Sequence, residues 1–249
     1  MLSKENHRSM RRMCHFRVII VLLLLWSLRN IPYASSSPTT VNGKSTLSDL
    51  PLLEYSVNGN RNYCVILLTG NGGWRSLVTT LTTYLHKKQV PVVSLNSLKY
   101  LWVEKNPQRI ARDLVRIMGF YSEKWNKSYV VLIGYSMGAE ILPFALNNLS
   151  EDYLMKIQDV ILIAPAQKAT FEIAIRDYLY DSDVGLEILP ELKNLKIDTP
   201  YCICDDKKIS LCSLNLENAV EFKVLPGGHH FGYNYETLNR LIGTRMKLE

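Results

Sequence analysis

Short apolar runs alternate with segments of helical periodicity from about residue 64 to the C-terminus. The runs are rich in β-branched and aliphatic residues and cover 64–70, 91–98, 129–134, 159–166, 199–206 and 221–228. Between and after them, apolar positions recur at helical spacing in 76–88, 107–125, 139–149 and 235–246. This alternation predicts an α/β fold with a mostly parallel sheet and helices on both faces. Functional groups are then expected just after the strands, because ligands bind at the carboxyl ends of such sheets.

The first 36 residues have the pattern of a secretory signal peptide. Basic residues end at Arg17, the apolar run VIIVLLLLW follows at 18–26, and small residues stand at 34–36. The run is about half of the ~20 residues that a membrane-spanning helix needs. We therefore expect export from the cytoplasm, with an uncleaved membrane anchor as the alternative. Residues 37–48 are then a polar linker and residues 49–249 a single α/β domain.

The positive charge of the chain is concentrated in this leader. Of the formal net charge of +6, six basic residues and one acidic residue in 1–36 contribute +5. A basic surface would favour nucleic acid as a partner, but the predicted mature domain is near neutral. Nucleic acid is therefore not expected to bind.

A serine lies between two glycines where the third strand turns into a helix, in Gly134-Tyr135-Ser136-Met137-Gly138. Such a turn forces strained backbone angles on the serine, and flanking glycines relieve the crowding. The pattern predicts a nucleophile elbow, with the Met137 N–H at the helix start as an oxyanion donor. The alternative is a tight turn without chemistry.

Other strand ends carry the remaining groups that a serine hydrolase needs. The loop after the first run contains Asn71 and Gly72, either of which can supply the second oxyanion N–H. His229 and His230 follow the last run, and a histidine there is the expected base for Ser136. We prefer His230, because it stands directly before an aromatic residue.

Two aspartates, Asp205 and Asp206, follow the run at 199–206, where the third member of a catalytic triad is expected. Either can orient the imidazole. In an oxidising compartment the cysteines after the leader can pair, and Cys202 with Cys212, which bracket this loop, is the preferred disulfide. The cysteine spacing does not fit the common zinc sites, so neither a metal nor another cofactor is predicted.

Several segments together resemble the AcvB/VirJ family of bacterial exported virulence proteins. They are GNGGW (70–74), SLKYLW (97–102), NPQRIARDL (106–114), GYSMGAEILPFALNNL (134–149), ATFEI (169–173) and PGGHHF (226–231). The resemblance implies a periplasmic α/β-hydrolase with the nucleophile at Ser136 and the family's paired histidines at 229 and 230. It also supports the Cys202–Cys212 pair. Asn71 stands where the family usually has aspartate.

The resemblance further implies an aminoacylated phospholipid substrate, since AcvB-type members hydrolyse lysyl-phosphatidylglycerol. The enzyme would then work at the inner-membrane surface, and Glu140 and Glu172 are candidates for binding the positively charged lysyl group. VirJ is linked to type IV secretion, so secretion components are possible partners. The alternatives are a non-catalytic periplasmic adaptor of a secretion system and a general carboxylesterase.

Overall fold

The computed structural model describes residues 47–73, 76–173, 185–216 and 218–248. The predicted signal peptide and nearly all of the predicted linker lie outside these residues. Leu47, which the sequence analysis assigned to the linker, is buried against the core. The folded domain therefore begins at least two residues before the predicted boundary at 49. None of the helices in the described part of the chain is long and apolar enough to cross a membrane.

The described residues form a seven-stranded sheet, as the alternating pattern predicts. Its strands, in chain order, are β1 (Leu52–Tyr55), β2 (Tyr63–Leu68), β3 (Val92–Leu95), β4 (Tyr129–Tyr135), β5 (Ile157–Ile163), β8 (Tyr201–Cys204) and β9 (Glu221–Val224). They are arranged in the order β1-β3-β2-β4-β5-β8-β9. All neighbours are parallel except β1, which is antiparallel to β3. A separate antiparallel pair consists of β6 (Lys168–Ala169) and β7 (Leu186–Glu187).

Helices cover both faces of the sheet. They are α1 (Ser76–Lys87), α2 (Ser97–Tyr100), α3 (Pro107–Trp125), α4 (Met137–Leu146), α5 (Glu151–Leu154), α6 (Ile188–Lys193) and α7 (Tyr235–Arg245). Helix α3 begins with Pro107 after the N-cap Asn106, whose side chain accepts the Arg109 N–H. An N-cap followed by proline is a strong helix start, which is why this boundary agrees with the sequence prediction.

Strand β2 shows how the two faces are built. All six of its residues are buried, and alternate side chains enter opposite hydrophobic cores. Cys64, Ile66 and Leu68 pack with α3 and α4, whereas Val65 and Leu67 pack with α1 and α7. Because both faces are covered, the strand is uniformly apolar, and polar chemistry is confined to the ends of the strands.

Candidate active site

Ser136 lies on a sharp turn between β4 and α4. Its φ of 52° is in the left-handed region, which residues other than glycine rarely adopt. A Cβ at Gly134 would lie 2.5 Å from the Ala139 Cα, and one at Gly138 would lie 2.2 Å from the Leu68 carbonyl oxygen. Both positions therefore require glycine if the helix is to fold back over the strand. The turn is also held by a 2.8 Å hydrogen bond from the Ser136 N–H to the Ile163 carbonyl.

The imidazole of His229 lies beside the serine. Its Nε2 is 2.8 Å from the Ser136 Oγ, and its Nδ1 is 3.2 Å from the Asp205 Oδ2. The histidine belongs to a 3₁₀ turn, Gly228–Tyr233, which the buried Phe231 attaches to the core. The Ser136 hydroxyl, the His229 imidazole and the Asp205 carboxylate are thus connected in series by hydrogen bonds, although they come from three separate segments of the sequence.

The preferred histidine of the sequence analysis, His230, does not contact Ser136 in this way. Its Nδ1 instead lies 2.9 Å from the Tyr135 hydroxyl, and its ring stacks on Tyr233. The reason is the backbone of the turn, which points successive side chains in different directions. The spacing along the sequence could not show which of the two adjacent histidines contacts Ser136.

The two predicted aspartates have different contacts. Asp205 is buried, with one carboxylate oxygen facing His229 and the other accepting the Lys207 N–H at 3.2 Å. Asp206 is exposed and accepts the N–H groups of Gly228 at 2.9 Å and Gly227 at 3.3 Å. These N–H groups hold the pKa of Asp206 below its usual range, because they stabilise the ionised carboxylate. Asp205 is therefore the aspartate that contacts the imidazole, and the hydrogen bonds of Asp206 hold the turn that carries it.

The predicted disulfide between Cys202 and Cys212 is wrong. The structure joins Cys204 to Cys212, with their Cα atoms 6.0 Å apart. Side chains two residues apart point to the same face of a strand, so Cys202 lies close by, with its Sγ 3.3 Å from that of Cys204. Cys204, and not Cys202, is the last residue of β8. It is therefore adjacent to the loop that the disulfide with Cys212 closes. Cys202 remains a buried thiol, and burial raises its pKa above the ordinary value.

The loop after β2 lies against the serine, as the sequence predicts for an oxyanion loop. A Cβ at Gly70 would be 3.0 Å from the Ser136 Cβ, so the backbone passes directly beside the nucleophile. The Gly73 N–H bonds to the Gly70 carbonyl at 3.0 Å and closes a turn over Asn71 and Gly72. Met137, on the other side, is the first residue of α4. The two segments that were predicted to supply oxyanion N–H groups therefore both lie next to Ser136.

The two candidate glutamates differ in their surroundings. Glu140, one turn into α4, accepts the Ala166 N–H at 3.2 Å, and burial of its carboxyl raises its pKa to about 7. The residue as a whole is only partly buried, whereas its carboxyl group is enclosed. Glu172 is exposed. The contact to Ala166 gives Glu140 a role in joining α4 to the loop after β5, which the sequence analysis did not foresee.

Tyr135 is a site residue that the sequence analysis missed. Its ring stacks on His229 with 5.7 Å between ring centroids, and its hydroxyl contacts His230. Burial raises its pKa above the ordinary tyrosine value, so it remains a neutral phenol. The position of Tyr135 in the sequence could have indicated this role. The residue directly before the nucleophile lies at the end of β4, which faces the loop that carries the histidines.

Comparison with known proteins gives a family and a fold. The family model described as bacterial virulence protein (VirJ) matches residues 62–249. No curated protein matches the chain.

Solved structures resemble the chain at low sequence identity. MenH from S. aureus has a TM-score of 0.58 and 13% identity, covering 79% of this chain and 97% of that one. A lipase-esterase related protein from Clostridium acetobutylicum has a TM-score of 0.54 and 15% identity, covering 78% and 98%. The esterase Pf2001 from Pyrococcus furiosus has a TM-score of 0.52 and 16% identity, covering 86% and 97%. Together with the parallel sheet, these similarities identify an α/β-hydrolase fold.

Proposed function

The chain belongs to the VirJ family of bacterial virulence proteins, and on that premise we propose that it is a serine ester hydrolase with the triad Ser136, His229 and Asp205. The observation that carries the proposal is the continuous contact from the Ser136 Oγ to His229, 2.8 Å, and from His229 to Asp205, 3.2 Å. A serine hydroxyl is a weak nucleophile until a base removes its proton, and this arrangement supplies the base and the group that orients it.

The chemistry follows from these contacts. His229 Nε2 takes the Ser136 proton as Oγ attacks the ester carbonyl carbon, and Asp205 stabilises the resulting imidazolium. The tetrahedral oxyanion accepts hydrogen bonds from the Met137 N–H and from the loop after β2. The intermediate then expels the alcohol, which takes the proton from His229, and leaves an acyl-enzyme. Water activated by His229 releases the acid and restores the serine.

The substrate that we propose is an aminoacyl ester of a phospholipid, similar to lysyl-phosphatidylglycerol. The acyl group would be lysyl and the leaving alcohol the phosphatidylglycerol hydroxyl. The resemblance to AcvB-type hydrolases supports this class. Of the two candidate glutamates, the exposed Glu172 is the better one for binding the lysyl ammonium group, because the Glu140 carboxyl is enclosed and accepts the Ala166 N–H.

Access to a lipid requires contact with a membrane, for which Trp102 and Val103 are suitable. Their exposed fractions are 55% and 66%, and they follow α2 beyond the carboxyl end of β3. Tyr100 and Leu101, by contrast, are buried and belong to the core. The Cys204–Cys212 disulfide supports an oxidising compartment such as the periplasm, because structural disulfides are rare in the cytosol.

The test uses purified protein and vesicles of phosphatidylglycerol that contain lysyl-phosphatidylglycerol. We expect release of free lysine by the wild type, and loss of release by at least about 10³-fold in Ser136→Ala. A fluorophosphonate probe should label the wild type at Ser136, as peptide mapping would establish. Labelling at another residue would refute the site, and hydrolysis of short acyl esters without lysine release would indicate a general carboxylesterase.

A role as a secretion adaptor is tested separately. If Ser136→Ala were to retain full function in cells and to co-purify with type IV secretion components, binding rather than hydrolysis would be the function.

A further inference from the structure

Thr69 is a fully buried polar residue directly behind the loop that flanks Ser136. It follows the last residue of β2, and its Oγ1 accepts the Ser97 N–H at 3.0 Å while donating to the Gly70 carbonyl at 3.2 Å. The same carbonyl also accepts the Gly73 N–H. Two donors therefore fix the direction of the Gly70 carbonyl, toward Thr69 and the interior of the turn.

The direction of this carbonyl determines the direction of the next N–H. A peptide group is planar, and in the trans form the carbonyl of one residue and the N–H of the following residue point in opposite directions. The described residues contain no cis peptide bond. Since the Gly70 carbonyl points toward Thr69, the Asn71 N–H points away from it and out of the turn. The turn lies beside the nucleophile, because a Cβ at Gly70 would be 3.0 Å from the Ser136 Cβ.

Gly72, the other candidate donor, lacks this constraint. Its N–H belongs to the peptide that contains the Asn71 carbonyl. Among the described residues, no hydrogen bond to that carbonyl is seen. The orientation of the Gly72 N–H is therefore not determined by the same contacts.

We infer that Thr69 is a positioning residue whose hydroxyl holds the Gly70–Asn71 peptide, so that the Asn71 N–H is the second oxyanion donor. This inference rests on the proposed function. Preorganised donors are effective because they need no reorientation as charge develops on the oxygen. Without the Thr69 hydroxyl, the peptide would retain only the bond from Gly73 and would rotate more freely.

The first test replaces Thr69 in two ways. Thr69→Val keeps the shape but removes the hydroxyl, and we expect kcat for ester hydrolysis to fall about tenfold with KM unchanged, because the donor acts mainly in the transition state. Binding of a trifluoromethyl ketone inhibitor, whose hemiketal oxygen mimics the oxyanion, should weaken in parallel. Thr69→Ser restores both hydrogen bonds and should restore kcat.

Thr82→Val is the matched control for loss of a buried hydroxyl. Thr82 is also fully buried, but its Oγ1 bonds at 2.9 Å to the Val78 carbonyl in its own helix, α1. We expect wild-type kcat from it. A folded Thr69→Val protein with wild-type kcat, or a Thr69→Ser protein as impaired as Thr69→Val, would overturn the inference.

A second pair of variants tests the donor itself and does not depend on the folding of Thr69→Val. Proline is favoured at the second position of a turn and has no N–H, so Asn71→Pro removes the proposed donor with little disturbance of the turn. We expect its kcat to fall at least about tenfold below that of Asn71→Ala. Equal kcat values would refute the role of Asn71. A wild type that hydrolyses no ester would refute the proposed function and this inference together.

Discussion

Ser136 and His229 lie within one hydrogen bond of each other, yet the segments that carry them are held in place differently. The serine segment, residues 134–139, is nearly all buried, and its path follows from contacts between backbone atoms and two glycines. The histidine segment, residues 226–233, is largely exposed apart from the buried Gly228 and Phe231. It depends on Asp205 and Asp206, which come from a loop more than twenty residues earlier in the chain.

This difference shows which parts of a site can tolerate change. Steric contact between backbone atoms allows Ser136 only one position. A substitution that disturbs these contacts should therefore destabilise the fold. The histidine depends on a few polar contacts to a neighbouring loop, so a change there should alter chemistry with little loss of stability.

The largest effect is expected on the histidine side. His229→Ala removes the base that contacts Ser136 and should lower kcat/KM for ester hydrolysis by at least about 10³-fold. His230→Ala removes the contacts to Tyr135 and Tyr233 and should lower it by about tenfold or less. Steady-state kinetics on one ester, with circular dichroism to verify folding, measures both. If His230→Ala were the more damaging change, the triad assignment would have to move to His230.

A smaller effect, on stability, is expected on the serine side. Gly138→Ala places a Cβ 2.2 Å from the Leu68 carbonyl oxygen, so α4 must move away from β2. We expect a loss of about 2 kcal/mol in the free energy of unfolding, as for other overpacked cores. Denaturant titration measures this loss.

Gly119→Ala is the matched control for this change. Gly119 is exposed in α3, and a Cβ there would meet nothing within 4 Å. Alanine is favoured over glycine inside helices, so this variant should be about 0.5–1 kcal/mol more stable than the wild type. Stabilisation by both substitutions would show that the serine turn is less constrained than its geometry indicates.

The same contrast explains what could be predicted from sequence. The buried strands and the serine turn were predictable because apolar runs and the two flanking glycines are local signals. Strand β1 was not predicted, because it is only four residues long, lies at the sheet edge and contains exposed positions at Leu53 and Glu54.

The contacts of the histidine side were not determined by local signals. His229 and His230 are adjacent and chemically identical, and only the three-dimensional path of the turn directs His229 to the serine. Cys202 and Cys204 lie on the same face of β8, so their side chains are equivalent until the position of Cys212 is known. Pattern analysis identified the correct segments, but the choice between neighbours depends on contacts between distant parts of the chain.

Glu140 connects the two sides, and its replacement is expected to have an effect on stability that depends on pH. Its carboxyl accepts the Ala166 N–H, and the neighbouring Pro165 carbonyl accepts the N–H of Leu211 in the disulfide-closed loop after β8. Burial raises the pKa of Glu140 to about 7 from an ordinary value of 4.5, so the folded state holds this proton after the unfolded chain has lost it. The contribution of Glu140 to the free energy of unfolding should therefore be most favourable below pH 4.5 and should fall as the pH rises toward 7.

Glu140→Gln removes this titration but keeps an oxygen that can accept the Ala166 N–H. The variant should gain stability relative to the wild type by about 1–3 kcal/mol between pH 5 and pH 8, since one pKa unit corresponds to about 1.4 kcal/mol. Urea titrations of both proteins at several pH values in this window measure the difference. A difference that stays constant with pH would mean that the carboxyl is already ionised at pH 5, and that the connection between α4 and the loop after β5 is an ordinary charged hydrogen bond.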